Sequence, residues 1–83
     1  MVSAKWSNNA LEDIGELDEV VRERILAKVS WFEENFHRIT PDHLHYNLRE
    51  LYKLRVGDYR IFYSTHSSYI VIEAVRHRRD SYK

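Results

Sequence analysis

The sequence contains no cysteine, only one proline and two glycines, and no long apolar run. Without cysteine, disulfide bonds, thiol catalysis and cysteine-based zinc sites are excluded. No apolar segment approaches the roughly 20 residues of a membrane-spanning helix. The opening residues, interrupted by Lys5, do not resemble a signal peptide. We therefore expect a cytoplasmic protein with no membrane partner, and its 83 residues predict a single domain over residues 1–83.

The formal net charge is zero, but the charges are distributed unevenly along the chain. Residues 1–43 carry five basic and nine acidic side chains, whereas residues 44–83 carry eight and four. A basic half in a neutral protein favours a local anion-binding site over general adhesion to polyanions. A dipolar surface without a function is the alternative, and charge asymmetry alone does not decide between them.

The first half of the chain predicts two helices joined by a very short connection. Ser7 and Asp18 are suitable N-cap residues for them. Helical spacing joins the apolar residues of each helix: Ala10, Leu11, Ile14 and Leu17 in the first, and Val21, Ile25, Val29, Phe32 and Phe36 in the second. The short connection predicts a helical hairpin.

The remaining apolar segments predict strands. Residues 2–6 form a weak opening strand, and residues 51–56 and 59–64 flank Gly57-Asp58, a two-residue hairpin signal with glycine first. Residues 69–75 are rich in β-branched side chains and predict the last strand. The predicted class is α+β in the order β-α-α-β-β-β, with the helical hairpin packed on a small antiparallel sheet.

The Gly57-Asp58 turn fixes the register of the first hairpin. Leu54 then pairs with Ile61 on the face that meets the helices, while Arg55 lies directly opposite Arg60 on the other face. Like charges in that position are destabilising, and a bound anion such as a phosphate would relieve the repulsion. The alternative is that these cations only keep an exposed face solvated.

A second hairpin with His66-Ser67 at its tip extends this register. It predicts that Ile72 pairs with Ile61 and Ile70 with Tyr63 on the core side. Glu73 would then lie opposite Arg60 and hold its guanidinium. The open face of the predicted sheet therefore gathers four charged residues: Lys53, Arg55, Arg60 and Glu73.

Two segments resemble one known family. Residues 51–63 (LYKLRVGDYRIFY) resemble the central hairpin of the RelE/ParE toxin superfamily, and residues 75–82 (VRHRRDSY) resemble its last strand and tail. The resemblance spans essentially the whole chain and is to RelE-type toxins in particular. It implies a toxin of a type II toxin–antitoxin system that cleaves messenger RNA in the ribosomal A site. The ribose 2′-hydroxyl would attack the adjacent phosphate, leaving a 2′,3′-cyclic phosphate and a 5′-hydroxyl.

The resemblance also implies roles for particular residues. Catalysis would fall on Lys53, Arg60, Arg78 and Tyr82, whereas Arg55, His77 and Arg79 would bind RNA or clamp phosphate. The RelE pattern often has a second lysine where this chain has Arg55. Arginine stays protonated and cannot act as a general base. The base would then be Lys53 or His77, whose imidazole can take up a proton near neutral pH.

The expected partners are a cognate antitoxin, the ribosome and messenger RNA, with no cofactor. His43 and His45 form an H-x-H pair, but two histidines without a third ligand do not define a metal site. Two other functions stay open. One is a ParE-like inhibitor of DNA gyrase, which shares the fold without the full set of nuclease residues. The other is a non-catalytic or decayed binding module.

Overall fold

The structure is a computed structural model that describes residues 2–38, 42–46 and 49–79, with the backbone alone at residues 42–46, 49 and 50. Its elements are β1 (Ser3–Trp6), α1 (Asn8–Gly15), α2 (Glu19–Asn35), a short 3-10 turn (Phe36–Arg38), β2 (Asp42–Tyr46), β3 (Arg49–Val56), β4 (Tyr59–Thr65) and β5 (Tyr69–His77). The five strands form one sheet in the order β1-β5-β4-β3-β2. The predicted α+β class, with two helices packed on a sheet, is confirmed.

The sheet is mixed, so the prediction of a purely antiparallel sheet was wrong at one edge. β1 pairs with β5 in parallel, and the other three pairings are antiparallel. A parallel pair needs a long connection, which here includes both helices and the other three strands. The prediction also missed β2, because the polar side chains of residues 42–46 obscure the apolar alternation of a strand.

The register predicted for the β3–β4 hairpin is confirmed. Leu54 pairs with Ile61, Tyr52 with Tyr63 and Arg55 with Arg60. Gly57 has a φ of 57°, the left-handed conformation that a glycine tolerates at this position of a tight turn. The turn chemistry therefore sets which side chains share a face.

The register predicted for the β4–β5 hairpin was wrong. The tip of the hairpin lies one residue beyond the predicted His66-Ser67, so Tyr63 pairs with Ile72 rather than Ile70, two positions further than predicted. A β-bulge between Phe62 and Tyr63 adds a third position, so Ile61 pairs with Val75 rather than Ile72. Arg60 consequently pairs with Arg76, and not with Glu73. A bulge adds one unpaired residue to a strand and so changes every pairing beyond it.

The core lies between the helices and one face of the sheet. From α2, Ile25, Val29 and Phe32 are buried as the apolar stripe predicted. The Phe32 ring contacts Tyr63 edge-on at 4.8 Å between centroids, which joins the middle of α2 to the middle of β4. Such a pair adds about 0.5–1.5 kcal/mol to the burial of its apolar surface.

Side-chain hydrogen bonds fix the helices on the sheet. The Ser7 hydroxyl accepts from the Ala10 amide at 3.1 Å, which confirms the predicted N-cap of α1, and donates to the Glu73 carbonyl at 3.1 Å. Asp18 occupies the N-cap position of α2 without a side-chain cap bond.

Over the residues described above, neither helix has the length and apolar character needed to cross a membrane.

Candidate nucleic-acid interface

The sheet surface opposite the helices carries Lys53, Arg55 and Arg60, and we call it the basic face. Side chains alternate along a strand, so Leu54 and Ile61 point to the core while their neighbours point to this surface. Lys53 and Arg60 are half-buried, and Arg55 is exposed. The three cations were predicted to share one face, and the pairing register brings them together there.

A shallow pocket at one end of the basic face is lined by three arginines. Arg55, Arg60 and Arg78 surround a space of about 110 Å³ that also borders the Gly57-Asp58 turn and Tyr59. We call this space the arginine pocket. Its guanidinium groups come from β3, β4 and the end of β5, and each can donate several hydrogen bonds to one anion. Phosphate and carboxylate groups are the anions whose geometry matches such planar donors.

Arg78 is joined to the turn that closes the first hairpin. Its backbone amide donates to the Asp58 carbonyl at 2.8 Å, and its Nε lies 3.9 Å from the Asp58 carboxylate. Both side chains are about two-thirds exposed, so this ion pair is weak and readily exchanged for another anion. The backbone bond therefore positions Arg78 beside the arginine pocket.

Glu73 does not lie opposite Arg60 in the register of β4 and β5. It is the additional residue at the β-bulge, and its carboxylate accepts from the Ser64 hydroxyl at 2.8 Å. The core-facing residues of β5 are Ile70, Ile72 and Val75. Their spacing changes from two to three residues, and this change was the one sequence signal of the bulge.

The bulge brings a residue to Arg60 that the sequence did not predict there. Arg76 is directly opposite Arg60, but its guanidinium bonds to the carboxylate of Asp13 on α1. The same carboxylate accepts from the Val75 amide at 2.9 Å. Asp13 therefore joins α1 to the end of β5 and draws the charge of Arg76 away from the arginine pocket.

His77 and Arg79 follow Arg76 along the chain. His77 pairs with Tyr59 in the register that also joins Ile61 to Val75, so its side chain belongs to the helix-side face. Its Nδ1 accepts from the Arg79 amide at 3.2 Å. A ring nitrogen that accepts a hydrogen bond carries no proton, so the hydrogen of the neutral ring is on Nε2. In this arrangement neither nitrogen of His77 has a lone pair available to a substrate.

Tyr82, the fourth predicted catalytic residue, lies outside the described residues. The side chains of His43 and His45 also lie outside them, although the backbone of both belongs to β2. Within the described part of the chain, no three histidine, aspartate or glutamate side chains are close enough to hold one metal ion.

Comparisons with known proteins point to one superfamily. The sequence profile described as "ParE toxin of type II toxin-antitoxin system, parDE" matches residues 4–82. A comparison with curated protein sequences gave no match. The structure resembles the RelBE2 toxin–antitoxin complex from Mycobacterium tuberculosis, with a TM-score of 0.80 at 20% identity over 93% of this chain and 98% of that chain.

Two further solved structures have the same fold. The archaeal RelE–RelB complex from Pyrococcus horikoshii OT3 matches with a TM-score of 0.74 at 21% identity, over 96% of this chain and 98% of that one. A mutant of the E. coli toxin RelE in the free state matches with a TM-score of 0.75 at 21% identity, over 96% and 86%. At these identities the likeness shows the fold alone.

Proposed function

The chain belongs to the ParE toxin family of type II toxin–antitoxin systems, within the RelE/ParE superfamily, and we propose that within this superfamily it acts by cleaving messenger RNA on the ribosome. The observation that carries this proposal is the arginine pocket, where Arg55, Arg60 and Arg78 converge on one small open space. When a ribose 2′-hydroxyl attacks the adjacent phosphate, negative charge develops on the phosphorane. The main requirement of this reaction is stabilisation of that charge rather than a cofactor. Three guanidinium groups on one phosphate supply that stabilisation.

Each member of the site has a distinct task in this reaction. Arg60 and Arg78 stabilise the negative charge that grows on the non-bridging oxygens as the 2′-oxygen attacks. Arg55 clamps the phosphate in line with the attacking hydroxyl, because it stays protonated and cannot take a proton. Tyr82 remains a proposed catalytic residue, which stacks on or orients a nucleotide.

Lys53 is the better candidate for the general base. It lies two residues from Arg55 on the same face of β3, whereas His77 belongs to the other face and uses Nδ1 to accept the Arg79 amide. A base must come within hydrogen-bond reach of the proton that it removes. His77 and Arg79 are accordingly assigned to the edge of the RNA site, as contacts to the phosphate backbone.

Inhibition of DNA gyrase is the second candidate. The match of residues 4–82 to a profile described as a ParE toxin favours it. A gyrase inhibitor needs a surface that fits the topoisomerase, and it does not need convergent cations around a scissile phosphate. Convergence in the arginine pocket therefore favours the nuclease, and a supercoiling assay with purified gyrase separates the two.

A cognate antitoxin is the expected partner, as in the RelBE2 and archaeal RelE–RelB complexes that share the fold. Arg55 and Arg60 lie opposite each other and repel. An acidic or amphipathic segment of the antitoxin near the basic face would reduce this repulsion. An antitoxin complex that still cleaves messenger RNA would contradict this part of the proposal.

The experiment is primer extension on a defined message in a translation extract, with purified protein and with ribosomes present or absent. Cuts confined to translated message support the full proposal, and cuts on free RNA remove ribosome dependence only. Arg60→Ala should lower the cleavage rate about a hundredfold, because one lost charge contact in a transition state has that effect. Arg24→Ala, an exposed arginine on α2, is the matched control and should cleave normally.

Absence of cleavage by the wild-type protein, combined with loss of gyrase supercoiling, would replace the nuclease by the second candidate. Cleavage that survives in Arg60→Ala would leave a nuclease that does not use the arginine pocket.

A further inference from the structure

A second group of ring and cation contacts lies at the other end of the sheet from the arginine pocket. The Nζ of Lys5 lies 4.4 Å from the centroid of the Tyr69 ring, and the His66 ring stacks on Tyr69 with 4.7 Å between centroids and 13° between planes. Lys5 and His66 are exposed, and Tyr69 is half-buried. We call these three residues the Tyr69 stack.

The Tyr69 stack belongs to the basic face. Ala4 and Ile70 pair with each other and pack on the core, so the alternating residues Lys5 and Tyr69 point to the opposite surface. His66 follows β4 directly, and its amide donates to the Tyr69 carbonyl at 2.9 Å. His66 is six positions along the chain from Arg60, which corresponds to about 20 Å along an extended strand.

A chain of hydrogen bonds fixes the orientation of the His66 ring. The Ser64 hydroxyl donates its single hydrogen to Glu73 at 2.8 Å, and its oxygen lies 3.2 Å from Nε2 of His66. Because the serine has no second hydrogen, Nε2 must be the donor of that contact. The exposed His66 ring is therefore held by stacking on Tyr69 at one face and by the hydrogen bond to Ser64 at its edge.

The held ring is exposed, so a ligand can reach it. Among the described residues, His66 meets no second aromatic ring besides Tyr69. Aromatic faces beside a cation are the surfaces on which single-stranded RNA stacks its unpaired bases. A ring that is already ordered loses little entropy when a base stacks on it.

We propose that His66, held by Tyr69 and accompanied by Lys5, stacks one unpaired nucleobase of an RNA strand that also reaches the arginine pocket. The base stacks on the His66 ring, and the positive charge of Lys5 attracts the phosphate backbone beside it. This inference rests on the proposed function, since it assumes that RNA is the ligand of the basic face. The base belongs either to the message or to ribosomal RNA beside it, and the stacking chemistry is the same.

The test uses a short 2′-O-methyl RNA that carries one 2-aminopurine at successive positions, because this RNA lacks the attacking hydroxyl and stays intact. We expect the wild-type protein to quench the fluorescence at one position, and His66→Ala to bind about ten-fold more weakly without quenching, as loss of one base stack implies. Ser67→Ala, in the same turn, is the matched control and should behave as wild type.

His66→Phe separates a binding role from a structural one. It keeps an aromatic face but loses the hydrogen bond to Ser64, so it should restore quenching and most of the affinity. Wild-type affinity in His66→Ala, or equal loss in His66→Phe and His66→Ala, would overturn the inference. So would an RNA that does not bind the wild-type protein at all.

These results are independent of cleavage. RNA binding that depends on His66 in a protein that never cuts message would keep the inference and remove the nuclease. Cleavage with unchanged binding in His66→Ala would do the reverse. On translated message, a changed sequence preference in His66→Ala would assign the base to the message, and a uniform decrease at all sites would assign it to ribosomal RNA.

Discussion

At the scale of the residue, function and stability compete on the basic face. Arg55 and Arg60 lie directly opposite each other on adjacent strands, where like charges are unfavourable. Arg76 would be a third guanidinium beside them, but Asp13 binds it from α1. Asp13 therefore binds Arg76, whereas Arg55 and Arg60 both line the arginine pocket, an arrangement that a phosphate ligand would stabilise.

Replacing Arg55 should stabilise the protein and reduce its activity. Arg55→Thr removes the repulsion and adds a residue with good strand propensity, so we expect the free energy of unfolding to rise by about 0.5 kcal/mol. Urea denaturation measures this change. The gain should shrink in high salt, because salt screens exposed charges. A loss of stability at low salt would show that repulsion at Arg55 is not significant.

At the scale of the element, the pairing of β5 with β4 determines which side chains lie beside Arg60. The first hairpin could be predicted from Gly57-Asp58, because one turn type fixed its register and the face of each side chain. The second could not, since its tip lies one residue beyond the predicted His66-Ser67 and the only sequence signal of the bulge at Glu73 is the changed spacing of Ile70, Ile72 and Val75. Sequence patterns therefore predicted Arg55 and Arg60 as neighbours but missed Arg76.

Asp13 holds the bulged strand against α1, and its removal should be costly. Asp13→Ala leaves the Val75 amide and the Arg76 guanidinium without this partner, for a loss of about 1–3 kcal/mol. Asp13→Asn keeps an acceptor for the amide and should lose less. Urea denaturation of both variants tests this order. Equal stability of Asp13→Ala and wild type would contradict the role of Asp13 as the link between α1 and β5.

The two glycines should respond in opposite directions to the same substitution. Gly57→Ala places a side chain at a φ of 57° and should cost about 1 kcal/mol, while also disturbing the arginine pocket beside the turn. Gly15→Ala adds a methyl group at the end of α1, where no atom lies within 4 Å, and should stabilise by about 0.5 kcal/mol. Thermal unfolding of the two variants distinguishes strain in the turn at Gly57 from the conformational freedom of the chain at Gly15. Equal effects would contradict this reading of the turn.

At the scale of the whole molecule, the two faces of the sheet have different roles: one forms the core, and the other carries the residues proposed to bind RNA. One face packs on Ile25, Val29 and Phe32 of α2 and provides the core. The other face has the arginine pocket at one end and the Tyr69 stack at the other. The sequence predicted this division from the alternation of apolar and charged residues. It did not predict the Tyr69 stack, because Lys5 reaches Tyr69 through the parallel β1–β5 pairing.

The most direct test of the central claim is a message with a single 2′-deoxy nucleotide on the 5′ side of a mapped cleavage position. If the cations of the basic face promote attack by the 2′-hydroxyl, the cut at that position should disappear while neighbouring cuts remain. The fragments from unmodified message should end in a 2′,3′-cyclic phosphate. An unchanged cut at the deoxy position would mean that another nucleophile breaks the chain, and it would contradict the mechanism proposed for Lys53, Arg60 and Arg78.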